Sequence, residues 1–189
     1  MELIEKYNLK EIKKIVLFKK YSKILIVAGK KSFFVSKANL IIEKLMKNKE
    51  TFFFFKKNKI PEINELNSLI QVIKKKQPNL IIAIGGGAVL DLAKTANSLV
   101  FEKNIENKIK NNLYKIKNFC ELLAIPMTAG TGAEVTSNAV IYIENKKYSV
   151  EGNLIKPAHM ALLPELIIRN NKKNIIRSSA FDCFAQAAE

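Results

Sequence analysis

Five of the seven glycines in this 189-residue chain lie in two short stretches, residues 85–87 and 130–132. The first stretch follows the apolar run NLIIAI and precedes AVLDLAKTAN, a helix-period sequence that carries Asp91 and Lys94. Glycine has no side chain, so the backbone there can approach a ligand closely. A buried strand that turns through glycine into a helix presents backbone N–H groups to a phosphate. Residues 79–97 therefore predict a nucleotide-binding turn.

The second glycine stretch belongs to PMTAGTGAEVT, residues 126–136, which follows another apolar run at residues 121–125. Threonine hydroxyls alternate there with glycine backbone, a combination that can surround a ribose or a phosphate without a bulky side chain. An ordinary glycine-containing surface loop has the same composition, so this stretch alone leaves both interpretations open. The presence of residues 85–87 in the same chain favours a ligand-binding loop.

The remaining reactive residue types give weaker signals. Cys120 and Cys183 match no zinc or redox spacing and are predicted to be reduced structural thiols. His159, the single histidine, lies in an apolar segment with no carboxylate or cysteine nearby in sequence, so a structural histidine is favoured over a catalytic one. Asp182 and Gln186 stand four residues apart, on one face of a helix; by spacing alone, a hydrogen-bonded pair on a solvated face is favoured.

Apolar runs alternating with helix-period segments must position these residues. Strands are predicted at residues 12–18, 23–28, 51–55, 79–85, 121–125 and 158–163, with phenylalanines 52–55 as strand core. Helices are predicted from Ser32 to Leu45, from Pro61 to Pro78, and after the glycine triplet. The alternation predicts an α/β fold with a mainly parallel sheet and helices on both faces. Strand carboxyl ends share one edge of such a sheet, which places Gly29 and Ser32 beside the glycine triplet.

The less regular segments are also interpretable. Residues 102–118 are rich in Lys and Asn and predict a surface insertion with about one helical turn. Residues 138–144 and 147–150 flank Asn145-Lys146 and predict a hairpin. Residues 170–189 show no strand pattern, only helix-compatible sequence with Ser178 or Ser179 as a candidate N-cap.

The net charge of +15 does not by itself indicate a nucleic-acid partner. Arg169 and Arg177 are the only arginines, and the lysines are dispersed rather than clustered in stripes with aromatic residues. No apolar run approaches membrane-spanning length, and the first residues lack the pattern of a signal peptide. We expect a cytoplasmic protein without nucleic-acid or membrane partners.

Several stretches together resemble the iron-containing (group III) alcohol dehydrogenase family: IAIGGGAVLDLAK (residues 82–94), AIPMTAGTGAEVT (124–136), KYSV (147–150), LLPEL (162–166) and FDCFAQAAE (181–189). Their order and spacing also match, and residues 138–150 are similar to the branch that includes phosphonoacetaldehyde reductases. The resemblance implies a Rossmann-like NAD(P)-binding domain over residues 1–165. Residues 166–189 would begin a helical domain that holds one divalent metal, Fe or Zn.

The resemblance also implies roles for individual residues. The pyrophosphate and neighbouring ribose would be held by Gly85, Gly86, Gly87 and Asp91. The rest of the dinucleotide would be lined by Thr128, Gly130, Thr131 and Gly132, with Lys147 nearby. Asp182 would be the first metal ligand and Gln186 would occupy the position of the next, commonly a histidine, offering an amide oxygen. In the implied reaction the metal polarises an alcohol or aldehyde oxygen while hydride passes between the substrate carbon and the nicotinamide.

The residues that follow the strand predicted at 23–28 suggest which nicotinamide nucleotide is used. The sequence Gly29-Lys30-Lys31-Ser32 has no acid to accept a ribose 2′-hydroxyl and has two lysines that can meet a 2′-phosphate. We therefore expect NADPH to be preferred over NADH, with a small alcohol or aldehyde as substrate and a homodimer or higher oligomer as the assembly.

The chain departs from the family pattern at three places. Ala88 and Ala133 replace serines that usually follow the glycine motifs, and Leu163 replaces the aspartate of an Asp-Pro pair. The sequence stops at Glu189, before the two downstream histidine ligands, so we expect a truncated copy with at most two metal ligands. Two alternatives to the dehydrogenase remain: a catalytically inactive dinucleotide-binding remnant, and a dehydroquinate-synthase-like lyase.

Overall fold

A computed structural model describes residues 2–4, 21–168 and 173–188. The strand predicted at residues 12–18 lies outside the described residues. The main sheet is formed by six strands, which in spatial order are β1 (Glu2–Ile4), β8 (His159–Ala161), β5 (Glu121–Pro126), β4 (Leu80–Gly85), β2 (Lys23–Gly29) and β3 (Glu50–Lys56). All neighbouring pairs run parallel. The predicted parallel sheet is confirmed.

The described residues also form seven α-helices and one separate hairpin. The helices are α1 (Lys30–Val35), α2 (Ala38–Leu45), α3 (Ile63–Lys76), α4 (Gly87–Leu99), α5 (Ile105–Lys110), α6 (Pro164–Ile168) and α7 (Lys173–Ala188). The hairpin pairs β6 (Asn138–Ile143) with β7 (Lys146–Glu151), and a short 3-10 helix follows at Asn153–Ile155. Helix α5 supplies the short helix expected within the insertion at residues 102–118.

Helices cover both faces of the sheet, as expected for parallel strands. Alternate side chains of β4 point to opposite faces, since Ile81 packs with α3, α4 and the hairpin, whereas Ile82 packs with α1 and α2. Both isoleucines are fully buried. The sheet is therefore the central layer between two hydrophobic cores, and its carboxyl edge is left for loops.

Three local predictions are wrong. The helix predicted from Ser32 to Leu45 is broken at Lys37, which has φ 59°, because the Ser36 hydroxyl accepts the Ala38 N–H at 3.2 Å and ends the first helix. The hairpin turns through Glu144 and Asn145, not Asn145-Lys146; positive φ at both residues is the geometry of a two-residue hairpin turn.

The third wrong prediction concerns the N-cap of the last described helix. Helix α7 already begins at Lys173, so Ser178 and Ser179 lie inside it and do not cap it. Within the described parts of the chain, no helix has both the length and the apolar character needed to cross a membrane.

Candidate functional site

The glycine turn, residues 85–87, joins β4 to α4 at the carboxyl edge of the sheet. A Cβ atom on Gly86 would lie 3.0 Å from Thr128 Oγ1, and one on Gly87 would lie 3.1 Å from Thr131 Cγ2. Both threonines belong to residues 126–136, which we call the threonine loop. The structure thus brings the two predicted stretches into direct contact, because β4 and β5 are neighbours and Gly85 pairs with Pro126.

Helix α4 begins at the last residue of the glycine turn, and its first backbone N–H groups are directed at the carboxyl edge of the sheet. Gly86 is extended, with φ −76° and ψ 178°, and no side chain caps the helix. The first N–H groups of an α-helix have no acceptor within the helix and carry the positive end of its dipole. This end of α4 suits an anionic group such as a phosphate.

The threonine loop depends on two glycines with positive φ, Gly130 at 116° and Gly132 at 59°. A Cβ atom on Gly130 would come within 2.6 Å of the Ser179 backbone oxygen and 3.4 Å of Asp182 Oδ2. The loop therefore packs against the glycine turn on one side and against α7 on the other. Glycine at position 130 permits both the φ value and the close approach to α7.

A cleft of about 1150 Å³ opens along this edge. Its walls include Gly29 from the end of β2, Ser32 from α1, and Gly86 and Thr128 from the two predicted stretches. Ser32 donates its hydroxyl to the Gly29 carbonyl at 3.0 Å. A smaller cavity of about 280 Å³ lies between Gly29 and the first turn of α4. Two glycine-bearing strand ends therefore line one continuous region of the edge.

Lysines and phenylalanines at the end of β3 complete the cleft beside the predicted Lys30 and Lys31, and the sequence interpretation missed the β3 residues. The lysines lining the cleft are Lys30, Lys31, Lys56, Lys57 and Lys59. Phe53, Phe54 and Phe55 also line it, and the Phe53 side chain is 47% exposed. The prediction that residues 52–55 are only strand core is therefore incomplete. The signal available in the sequence was that Lys56 to Lys59 follow a strand, at the same edge as Gly29.

Asp91 lies one turn into α4 and is half-buried. Burial raises its pKa from 3.8 to about 6, although Lys94, a backbone hydrogen bond from Val140 and the charge of Lys147 all act in the opposite direction. Lys147, on β7, is thus close enough to influence Asp91. The structure places these two predicted site residues together on the hairpin side of α4, and neither lines the two cavities described above.

The metal site implied by the family resemblance is incomplete within the described residues. Asp182 is half-buried on α7, next to Gly130. The Gln186 side chain lies outside the described part of the structure. Among the side chains that the structure describes, no group of three or more His, Cys, Asp or Glu residues is arranged to hold a metal ion. The described donors therefore do not fit a complete metal centre.

His159 has a carboxylate partner that its sequence neighbourhood did not reveal. Its Nε2 atom lies 2.7 Å from Glu121 Oε2, and the Tyr21 hydroxyl donates to the same carboxylate oxygen. Parallel pairing of β5 with β8 brings these residues together at the start of both strands. This is the edge opposite the glycine turn, so the histidine is separated from the cleft. Its structural role stays a prediction.

The fold and the carboxyl-edge cleft define the chain as a Rossmann-like α/β protein. The sequence model of the family "Iron-containing alcohol dehydrogenase" matches residues 3–168. The chain belongs to this family.

Individual relatives agree with the family assignment. The chain is 33% identical over 131 residues to the 4-hydroxybutyrate dehydrogenase of Clostridium kluyveri, covering 68% of this chain and 34% of that protein. It is 31% identical over 185 residues to the choline dehydrogenase of Bacillus subtilis strain 168, covering 89% and 43%. The matches thus span less than half the length of these curated relatives.

Solved structures show the same fold. The NADH-dependent butanol dehydrogenase A of Thermotoga maritima superposes with a TM-score of 0.87 at 20% identity, covering 96% of this chain and 46% of that one. The sulfoacetaldehyde reductase of Bifidobacterium kashiwanohense, solved in complex with NAD+, gives 0.86 at 23% identity, covering 100% and 53%. At these identities the likeness establishes the fold alone.

Proposed function

We propose that this chain is the nucleotide-binding part of an NAD(P)-linked alcohol dehydrogenase or aldehyde reductase. The observation that carries the proposal is the contact between the glycine turn and the threonine loop, beside the first turn of α4 and a cleft of about 1150 Å³. In this proposal residues 1–165 bind the dinucleotide and residues 166–189 begin the helical domain. The family membership and the NAD+ complex of a structural neighbour support the choice of ligand.

The chain's own residues would bind and orient the dinucleotide. The N-terminus of α4 and the glycine turn would receive the pyrophosphate through backbone N–H groups. The hydroxyls of Thr128 and Thr131 stand directly above this turn and would contact a ribose or the second phosphate. The family resemblance assigns Asp91 to the neighbouring ribose and places Lys147 nearby, and both lie on the hairpin side of α4. A bound nicotinamide nucleotide supplies or accepts the hydride, and the chain fixes its position.

We propose that NADPH is preferred over NADH. Five lysines line the cleft where β2 and β3 end, and its lining residues within the described chain include no aspartate or glutamate. A 2′-phosphate carries two negative charges at most and would meet Lys30 and Lys31 at the mouth, where both side chains are exposed. Solvent screening at these exposed side chains limits each charge-assisted hydrogen bond to about 1 kcal/mol.

The test of the binding proposal is a fluorescence titration with NADPH and NADH. Replacing both lysines, Lys30→Gln with Lys31→Gln, should weaken NADPH about 10- to 100-fold and leave NADH within about twofold. Lys74→Gln with Lys75→Gln is the matched control, because these exposed lysines lie at the carboxyl end of α3, far from the cleft edge. Tighter binding of NADH than of NADPH by the unaltered chain would contradict the preference, and no binding of either would contradict the site.

The reaction itself is tested separately from binding. Small aldehydes are supplied with NADPH, with and without Fe²⁺ or Zn²⁺, and absorbance of the reduced nicotinamide is followed. We propose that Asp182 contributes one metal ligand in the whole family site and that Gln186 occupies the next ligand position. Measurable NADPH binding without metal-dependent oxidation would favour the second candidate, a dinucleotide-binding module that performs no chemistry by itself.

A further inference from the structure

Lys94 is the most deeply buried charged side chain near the glycine turn, with 1% of its surface exposed. It lies on α4, two turns beyond Gly87, and its ammonium contacts the last residues of the threonine loop without lining the cleft. Nζ lies 2.9 Å from the Ala133 carbonyl oxygen, 3.0 Å from the Thr136 carbonyl, 3.0 Å from Thr136 Oγ1 and 2.5 Å from the Asn138 carbonyl. One ammonium therefore gathers four oxygens from residues 133–138.

These contacts link three elements that the proposed site requires. Helix α4 carries the glycine turn, residues 133–136 are the second half of the threonine loop, and Asn138 begins β6. The carbonyls of the loop point inward and would lack donors if the lysine were replaced by an apolar side chain, since buried carbonyls need hydrogen-bond partners. An ammonium supplies three donors and a charge, which suits several converging carbonyls.

The charges around Lys94 are consistent with a protonated side chain at neutral pH. Asp91 faces it from the preceding turn of α4, and Glu134 faces it from the loop. Lys147, on β7, acts on Asp91 from the other side. Burial lowers the pKa of Lys94 from 10.5 to about 8, and the two carboxylates oppose this effect.

We propose that Lys94 is a positioning residue for dinucleotide binding, because its ammonium fixes the threonine loop over the glycine turn before the ligand arrives. The inference rests on the proposed function for its ligand, but the loop contact is a property of the ligand-free chain. A loop that is already ordered loses less conformational entropy when it binds, so its order contributes directly to affinity. Lys94 does not touch the dinucleotide; it acts through residues 133–138.

The experiment compares the unaltered chain with Lys94→Met and Lys94→Arg by hydrogen–deuterium exchange without ligand and by NADPH titration. In Lys94→Met, exchange at residues 128–138 should rise about tenfold or more, while the central strands β2 and β4 keep their protection. The dissociation constant for NADPH should increase about 10- to 100-fold. Lys94→Arg, which keeps the charge, should recover part of both effects. Lys108→Met is the control, since that lysine lies on α5 and pairs with Glu102 rather than with the threonine loop.

A pH series on the unaltered chain supplies a readout that loss of packing alone would not give. As the pH rises through about 8, Lys94 loses a donor, so loop protection corrected for intrinsic exchange should fall between pH 7 and pH 9. Asp91 titrates near pH 6 and is outside this range. The pH dependence should be absent from Lys94→Met. If that variant does not fold, the pH series decides, and unchanged loop protection from pH 7 to pH 9 would overturn the proposal.

The remaining outcomes separate the two proposals. A folded Lys94→Met with parental loop exchange and parental NADPH affinity overturns the role of Lys94 while leaving the binding site intact. If the unaltered chain binds no dinucleotide, the proposed function fails, and the exchange data alone then decide whether Lys94 fixes the loop.

Discussion

Replacing Asp91 with asparagine should stabilise the protein at neutral pH and weaken dinucleotide binding. The ionised carboxylate is unfavourable where it lies, because burial raises its pKa from 3.8 to about 6 despite the nearby Lys94. Asparagine resembles the protonated carboxyl and can still accept the hydrogen bond from Val140. At about 1.4 kcal/mol per pH unit, this difference corresponds to a gain of about 3 kcal/mol at most.

The pH dependence of this gain has a defined sign. Above pH 6 the carboxylate is ionised in both states, and the folded state carries the full cost. As the pH falls from 6 towards 3.8, the folded state takes up a proton that the unfolded state does not yet hold, so the cost is relieved. Below both values Asp91 is neutral in both states. The advantage of Asp91→Asn should therefore be largest at pH 7 and disappear by about pH 4.

Urea denaturation of both proteins at pH 4, 5, 6 and 7 measures this advantage directly. Glu43→Gln is the matched control, because it removes the same charge from an exposed position on α2 and should change the free energy of unfolding by less than about 0.5 kcal/mol. A loss of stability in Asp91→Asn at pH 7, or a gain that does not vary with pH, would refute the reasoning. NADPH titration of the same samples tests whether binding weakens while stability rises.

Two further substitutions test the packing of the site. Gly130→Ala should lower the free energy of unfolding by about 2–3 kcal/mol, because a Cβ atom there meets the Ser179 backbone at 2.6 Å and φ is 116°. Gly132→Ala should lower it by only about 1 kcal/mol, because φ is 59° and no atom lies closer than 3.9 Å to the added Cβ. Equal losses in urea denaturation would show that the contact with α7 does not matter. Thr95→Val should raise the free energy of unfolding by about 1 kcal/mol, because the fully buried Thr95 hydroxyl has no hydrogen-bond partner among the described residues; a loss of similar size in the same assay would contradict this.

The sequence was sufficient to predict that the two glycine stretches lie at the same edge of the sheet. Each stretch follows an apolar run of strand length, and parallel strands end at one edge of a sheet, so adjacency required only that β4 and β5 be neighbours. The pairing of Gly85 with Pro126 realises that arrangement. The cleft was less predictable, because the lysines and phenylalanines of β3 line it only as a result of the position of β3 beside β2. Their sequence pattern does not distinguish residues that line a cleft from residues of the hydrophobic core.

Contacts that depend on strand order could not be derived from local patterns. Glu121 and His159 are 38 residues apart and meet because β8 pairs with β5, a choice that no periodicity encodes. The break at Lys37 arises from a single hydroxyl competing with the helix, and the left-handed turn at Glu144 uses a residue type that rarely adopts positive φ. The helix break and the turn conformation depend on small free-energy differences between competing local structures.

Helix α4 concentrates the features that are unfavourable for folding alone. Its first residue is glycine, its second turn carries the half-buried carboxylate of Asp91, and its third places the buried ammonium of Lys94 among loop carbonyls. A neutral side chain in place of Asp91 would fold at lower cost, whereas the loop carbonyls need the donors that Lys94 supplies. Each costly group, however, faces an element of the proposed site: Gly87 the threonines, Asp91 the hairpin, and Lys94 the base of the loop. Local departures from the most stable sequence gather where ligand binding is expected and are compensated elsewhere in the fold. The Asp91 charge is the one whose removal should stabilise the fold, so Asp91→Asn separates the requirements of folding from those of binding at this edge.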